Sequence, residues 1–248
     1  MLAGEVAARL RSAGFLAPER DAEALVDAAL CDEELEALVR RRIGGEPVEW
    51  LVGRTTFAGV SVAVHPGVYV PRAQSAAIVS HVRARHPFEV GVDACCGTGA
   101  LGVAVGASIG VDVDERAVAN ARANGLDARV GDLLVPVTEP VDLVVAVPPY
   151  VPTARLDTLP RDVRVHEPVV ALDGGDDGLD VVRRLVAQAA ERDVAVLVVE
   201  VGIDEIDALC DLVAGHGYDV CARLVDDDGD VRSVCSTRGG RSTGCCGR

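Results

Sequence analysis

The sequence predicts an α/β protein: a doubly wound parallel sheet with an antiparallel edge hairpin at its C-terminal end, preceded by a small helical unit. Three observations carry this. From Ala73 onward, apolar runs of strand length alternate with segments of helical length, the pattern of repeated βαβ units. The run Val141–Ala146 is apolar apart from Asp142 and stops at Pro148-Pro149, as a central strand buried on both faces does. Near the end, Tyr218–Leu224 and Val231–Thr237 flank Asp226-Asp227-Asp228-Gly229-Asp230, a turn that pairs two strands antiparallel.

The elements follow in order. Residues 2–53 read as helices. One runs from Ala3 to Ser12, and a second starts with Pro18 in the first helical position, where proline is favoured. A third runs from Asp32 to Arg42 and stops at Gly44-Gly45. A short fourth runs from Pro47 through Trp50 to Gly53. Residues 55–70 alternate (Phe57, Val60, Val62, Val64, Val68, Val70) around Gly59 and Pro66-Gly67, which suggests a β-hairpin. Strands are expected at 89–93, 108–113, 128–130, 141–146 and 194–201, and helices at 73–85, 99–106, 115–124, 178–191 and 204–215. The expected division is a helical domain at 1–53, a hairpin linker at 54–71 and the α/β domain at 72–238. The tail 239–248, which is Gly, Ser, Thr and Arg around Cys245-Cys246, is expected to be disordered.

Composition narrows the function. The net charge is -15, and without a basic stripe no stable nucleic-acid binding is expected, because counterion release needs clustered positive charge. All 24 basic residues are arginine. Without lysine there is no Schiff base and no phosphate loop ending in Gly-Lys-Ser/Thr. The eight cysteines form no Cys-x-x-Cys pair, and the five histidines are scattered with no i,i+4 pair on an expected helix, so no metal site is expected. No apolar run approaches a membrane span. These features read as a cytoplasmic protein with reduced thiols and no membrane partner.

Two stretches carry chemistry. Val90–Asp93 leads into Cys95-Cys96-Gly97-Thr98-Gly99, between a strand and a helix. Glycine there lets a ligand approach the backbone, and a helix start offers N–H donors. Asp112 closes the next strand, where an acid can accept ribose hydroxyls; the neighbouring Asp114 reads as the helix cap. Asp132 follows the third strand, placed to accept an exocyclic adenine amine. Three acids at successive strand ends after a glycine loop favour an adenosine-containing ligand without pyrophosphate. The second stretch is Val147-Pro148-Pro149-Tyr150. Two prolines force an extended exit and remove two N–H donors. Carbonyls then face the crevice at the carboxyl end of the sheet with an aromatic plane beside them, a cradle for a flat amide or amine.

With these residues the chain resembles the class I S-adenosylmethionine-dependent methyltransferases, and more closely the HemK/PrmC family, which methylates the glutamine of a Gly-Gly-Gln motif in peptide-chain release factors. The resemblance covers about Arg41 to Arg232. It includes Arg42-x-x-Gly45-Glu46-Pro47 with Gly53 and Phe57, Val70-Pro71-Arg72, the glycine loop, and Asp112 with Ala117, Ala121 and Asn124. It continues through Asp132, Pro148-Pro149-Tyr150, His166-Glu167-Pro168, Ala171-Leu172-Asp173-Gly174-Gly175, Gly178-Leu179 and Glu200-Val201-Gly202. The resemblance implies a Rossmann-like sheet and S-adenosylmethionine held by Asp93, Cys95, Gly97, Thr98, Gly99, Asp112, Val113, Asp132 and Leu133. It implies a protein substrate such as a release factor, engaged by a helical N-terminal part that looks shortened here, and chemistry at Val147, Pro148, Pro149 and Tyr150.

The chain departs from the family pattern in three places. Cys95 stands at the first loop glycine, Ala73-Gln74-Ser75-Ala76 stands at Pro-Glu-Thr-Glu, and Val147 stands at an asparagine. In the family that asparagine oxygen and a proline carbonyl accept the two amide N–H bonds and turn the lone pair toward the methyl group. Gln74 is the nearest replacement by family topology. Two other readings stand beside this one. The chain is then a cofactor-binding module weakened in catalysis by Val147, or an N-methyltransferase of nucleic-acid bases, which shares the Pro-Pro-aromatic loop.

Overall fold

The structure, a computed structural model, describes residues 2–239; the expectation for the tail lies outside them. Four helices open the chain: α1 (Ala3–Ser12), α2 (Pro18–Ala28), α3 (Asp32–Ile43) and α4 (Val48–Val52). They gather their apolar stripes into a cluster of their own, around Val6, Leu10, Leu25, Leu35 and Val39. Buried Asp21 and Arg42 pair at 2.7 Å beside it, and the Arg42 guanidinium stacks 4.1 Å from the Phe15 ring.

A separate two-stranded hairpin follows, β1 (Arg54–Phe57) and β2 (Val60–Ala63). Ala58 and Gly59 both have positive φ, 46° and 81°, the tight turn whose twist suits a two-residue hairpin. The alternation expected to continue to residue 70 does not form strand beyond Ala63. Pro66 removes a ladder donor, and two asparagine side chains take the backbone groups of Ala63 and the His65 N–H. Val64 and Val70 are nevertheless buried, packed on Trp50, whose indole N–H donates to the Val68 carbonyl at 2.9 Å.

The main sheet contains β3 (Gly91–Ala94), β4 (Ile109–Asp112), β5 (Asp127–Val130), β6 (Leu143–Ala146), β7 (Val196–Glu200), β8 (Tyr218–Val225) and β9 (Val231–Arg238). Its order is β5-β4-β3-β6-β7-β9-β8. The first five strands in that order are parallel, and β9 and β8 close the edge antiparallel. The remaining helices are α5 (Ala76–Arg85), α6 (Ala100–Val105), α7 (Glu115–Ala123), α8 (Arg161–His166), α9 (Asp180–Glu191) and α10 (Ile206–Gly215). Alternate residues of β6 face opposite cores, as the period of a strand requires. Val144 and Ala146 pack toward Leu185 and Leu209, while Leu143 and Val145 pack toward Ile78 and Val82. The doubly wound class read from the sequence is therefore observed. Chain order reverses between β3 and β6, and such a switch point opens a crevice at the carboxyl ends of the strands.

Candidate active site

The crevice holds a cavity of about 480 Å³ whose walls include Asp93, Cys95, Gly97, Thr98, Asp112, Val113, Asp132 and Leu133. Each comes from the end of β3, β4 or β5 or from the loop after it. Gly97 (φ 52°) faces open space, and a Cβ there would meet nothing within 4 Å. Gly99 has a different job. A Cβ there would lie 2.7 Å from Leu126 and 3.0 Å from the Ala121 side chain, so this glycine seats α6 against α7, and it is absent from the cavity wall. The N–H donors expected to be free at the helix start are largely spent inside the protein. Gly97 N–H donates to Asp112 at 2.9 Å, Gly102 N–H to Asp93 at 2.7 Å and Ala100 N–H to the Thr98 hydroxyl at 3.4 Å. Buried N–H groups with no water at hand must find such partners.

The acids are tuned by burial. Asp93 is 1 % exposed; burial raises its carboxyl to about 7, against the Gly102 N–H bond and with help from Asp112. Burial also raises Asp112, although it accepts from the Asp114 and Gly97 N–H groups. Asp114 caps α7 through the Arg116 N–H, as expected. Asp132 is engaged by Arg184, whose guanidinium nitrogen lies 2.6 Å and 2.7 Å from its two oxygens. Cys95 has φ 61° and Leu133 φ 55°, a left-handed conformation that strains residues with a Cβ. The glycine that the family places at Cys95 thus has a backbone reason.

A second cavity of about 250 Å³ adjoins the first. Gln74, Pro148 and Tyr150 line it, and Val147, Tyr69, Arg72 and Ala171 line both cavities. Val147 therefore stands at the junction. The Tyr150 loop is held by backbone bonds from Val151 N–H to Leu172 O and from Gly174 N–H to Val151 O, both 2.9 Å. Gly178 has φ 81°, and a Cβ there would run into the Tyr150 carbonyl oxygen. The Gly174-Gly175…Gly178 spacing is thus the clamp on the Pro-Pro-Tyr exit. Arg72 pairs with buried Glu167 and lies 5.0 Å over the Tyr69 ring, which joins two motifs far apart in sequence. Gln74 Nε2 donates to Glu200 Oε1 at 2.7 Å and to the Tyr150 hydroxyl at 3.2 Å. Glu200 is fully buried with its other oxygen unpartnered, and burial raises its carboxyl.

Comparison with known proteins settles the family. The chain is 36% identical over 235 residues to the release factor glutamine methyltransferase of Gloeobacter violaceus, covering 83% of this chain and 79% of that protein. The chain belongs to the release factor glutamine methyltransferase family. The enzyme of that name from Geobacter sulfurreducens is 36% identical, covering 84% of this chain and 80% of that protein; that of Streptomyces coelicolor is 34% identical, covering 71% and 74%. No family model matches the chain. Among solved structures, a methyltransferase from Pyrococcus furiosus superposes with a TM-score of 0.52 at 17% identity, covering 72% of this chain and 89% of that chain. The hMettl16 catalytic domain in complex with MAT2A 3'UTR hairpin 6 does so with a TM-score of 0.54 at 13% identity, covering 72% and 76%. Both likenesses are of fold, the Rossmann-like methyltransferase sheet. This family member is accordingly a methyltransferase.

The structure brings together all but one of the residues singled out in the sequence, Gly99 being the one that packs instead. Two features escaped sequence reading. Asn120 and Asn124, on α7 and its C-cap, stitch the β1–β2 hairpin to the glycine loop. Asn124 Nδ2 donates to the Ala63 and Thr98 carbonyls at 2.9 Å and 2.8 Å, and Asn120 Oδ1 accepts the His65 N–H at 2.8 Å. The expectation of scattered histidines also fails for two of the five: His81 and His86 place their Nε2 atoms 3.3 Å apart, beside Cys221 and Cys235. The two histidines are five residues apart, off the i,i+4 spacing of one helix face, and the cysteines lie far along the chain, so spacing rules do not register the cluster.

Proposed function

We propose that the protein transfers a methyl group from S-adenosylmethionine to the side-chain amide nitrogen of a glutamine in a peptide-chain release factor. The carrying observation is the pair of adjoining cavities that share Val147, one walled by acids at strand ends and the other by the Pro-Pro-Tyr exit. The open space over Gly97 and the carboxylates of Asp93, Asp112 and Asp132 fit an adenosine-bearing cation. When bound, S-adenosylmethionine supplies an electrophilic methyl on a sulfonium. Asp112 would accept from ribose hydroxyls, and Asp132, already held by Arg184, from the adenine amine. Val113 and Leu133 would wall the base.

The chain's remaining task is to orient a poor nucleophile. An amide lone pair is delocalised into its carbonyl, so positioned acceptors on its N–H groups matter most. The Pro148 carbonyl is one such acceptor in this reading. Gln74 is the second: with its nitrogen directed to Glu200 and Tyr150, its carbonyl end is left for a substrate N–H. It thus stands in for the asparagine that Val147 replaces. Tyr150 and the Pro149 ring would flank the flat amide.

The test is transfer of radiolabel from S-adenosylmethionine to a release factor, with the Gln of its Gly-Gly-Gln motif intact or changed to Ala. Label on the intact factor alone is the expected result. No label on either, beside a labelled control with a relative from the same family, would overturn the proposal.

A further inference from the structure

We propose that His81, His86, Cys221 and Cys235 bind a structural zinc ion that pins the C-terminal end of α5 to the β8–β9 edge hairpin. One ligand-type atom from each of the four lies within 4.8 Å of all the others. Three separations are 3.3 Å between the two Nε2 atoms, 3.4 Å from His86 Nε2 to Cys235 Sγ and 3.2 Å between the two Sγ atoms. In a tetrahedral site with Zn–S near ~2.3 Å and Zn–N near ~2.0 Å, neighbouring ligands lie roughly 3.3–3.8 Å apart. The N–N and N–S spacings match such a site, and the two sulfurs would part by about half an ångström to reach the S–S spacing of two thiolates on one zinc. Two thiolates and two imidazoles make the donor set of closed structural zinc sites, with no position left for a reacting water.

The fold goes out of its way to produce this convergence. His81 lies on α5 and His86 is its C-cap, with φ -126° and ψ 84°. The chain leaves the helix there, which carries an i,i+5 pair to a common point. Cys235 is fully buried on β9. Across from it, the β8 register shifts: Val220 pairs with Ser236 and Ala222 with Cys235, leaving Cys221 as the extra residue of a β-bulge. A bulge re-aims a side chain, and this one brings the Cys221 thiol to the side of Cys235. Cys221 is exposed, and an open cleft lined by His81, Arg85, Cys221 and Ala222 gives the ion a way in. Binding releases the two thiol protons to solvent, so the site carries two thiolates against one divalent cation.

Zinc content of the full chain, purified under reducing conditions without chelator, tests this. About one zinc per chain is expected, and the same in a Cys245→Ser/Cys246→Ser variant. Cys221→Ser and His81→Ala should each fall below about one tenth of that, with folding checked by circular dichroism. Cobalt titrated into metal-stripped protein should give the intense visible bands of a tetrahedral thiolate site, lost in Cys221→Ser. Because Cys221 is exposed and serine is nearly isosteric, that variant keeps the test valid should His81→Ala fail to fold. Two results overturn the proposal: wild-type protein with neither zinc nor a cobalt spectrum, or a metal content unchanged in Cys221→Ser.

Discussion

Asp93 shows how the burial of one residue makes stability depend on pH. Its folded carboxyl titrates at about 7, above the ordinary 3.8, chiefly through burial. A raised acid favours the neutral folded form, so its contribution to stability is fully present below about pH 4 and is lost as pH rises through about 7. Asp93→Asn should therefore gain on the wild type as pH rises from 4 to 7, by up to about 1.4 kcal/mol per pH unit, and then level off. Denaturant midpoints of both proteins at pH 5 and pH 8 check this; a difference that does not move with pH rules it out. In the proposed reaction, Val147→Asn supplies an acceptor worth up to about 10²–10³ in rate. If Gln74 already fills that place, the gain is under about tenfold, and Gln74→Ala alone loses at least about 10². Steady-state kinetics of the two variants and their double mutant separate these cases. The placement of Val147, Pro148 and Tyr150 at the crevice was legible from the sequence, because proline and an aromatic ring act locally. The partners of Gln74 were not, since Glu200 lies at the end of a strand distant in the chain.

Among the elements, strands and helices were read within a few residues wherever hydrophobic period and punctuation agreed. The exception is instructive. Val64, Val68 and Val70 alternate and are buried, yet their segment is not strand, because alternation records burial and not pairing. Asparagine side chains replace the missing ladder partner. Asn124→Ala would leave the Ala63 N–H and the Thr98 carbonyl without these bonds, at a cost of roughly 2 kcal/mol. It should also weaken S-adenosylmethionine binding, because Thr98 belongs to the glycine loop. Asn120→Ala loses bonds to Ala63 and His65 but none to that loop, so it should destabilise comparably while leaving affinity nearly intact. Chemical denaturation paired with calorimetric titration reads both quantities. An equal loss of affinity in the two variants would sink the distinction.

At the scale of the whole molecule, the N-terminal helices reach the helix that walls the smaller cavity. Trp50 packs edge-on to His166 with ring centroids 6.3 Å apart, and a Cβ on Gly45 would lie 3.4 Å from the His166 ring nitrogen. His166 ends α8, whose Val163 lines the smaller cavity. The larger cavity, in contrast, takes no wall from the described residues before 54. A large protein substrate approaching the Pro-Pro-Tyr exit would therefore meet the helical unit, whereas a short peptide need not. With a net charge of -15, the chain also suits a partner that offers arginine or lysine around its glutamine. A chain starting at Glu46 keeps Trp50 and its seat on Val68. It should bind S-adenosylmethionine within a few-fold of the full protein and methylate a short Gly-Gly-Gln peptide at a comparable rate. It should lose most of its kcat/KM toward an intact release factor. Retained cofactor binding, measured by calorimetry, shows that the shortened chain is folded. If peptide and protein methylation then fall in equal proportion, the helices serve the fold and not the partner.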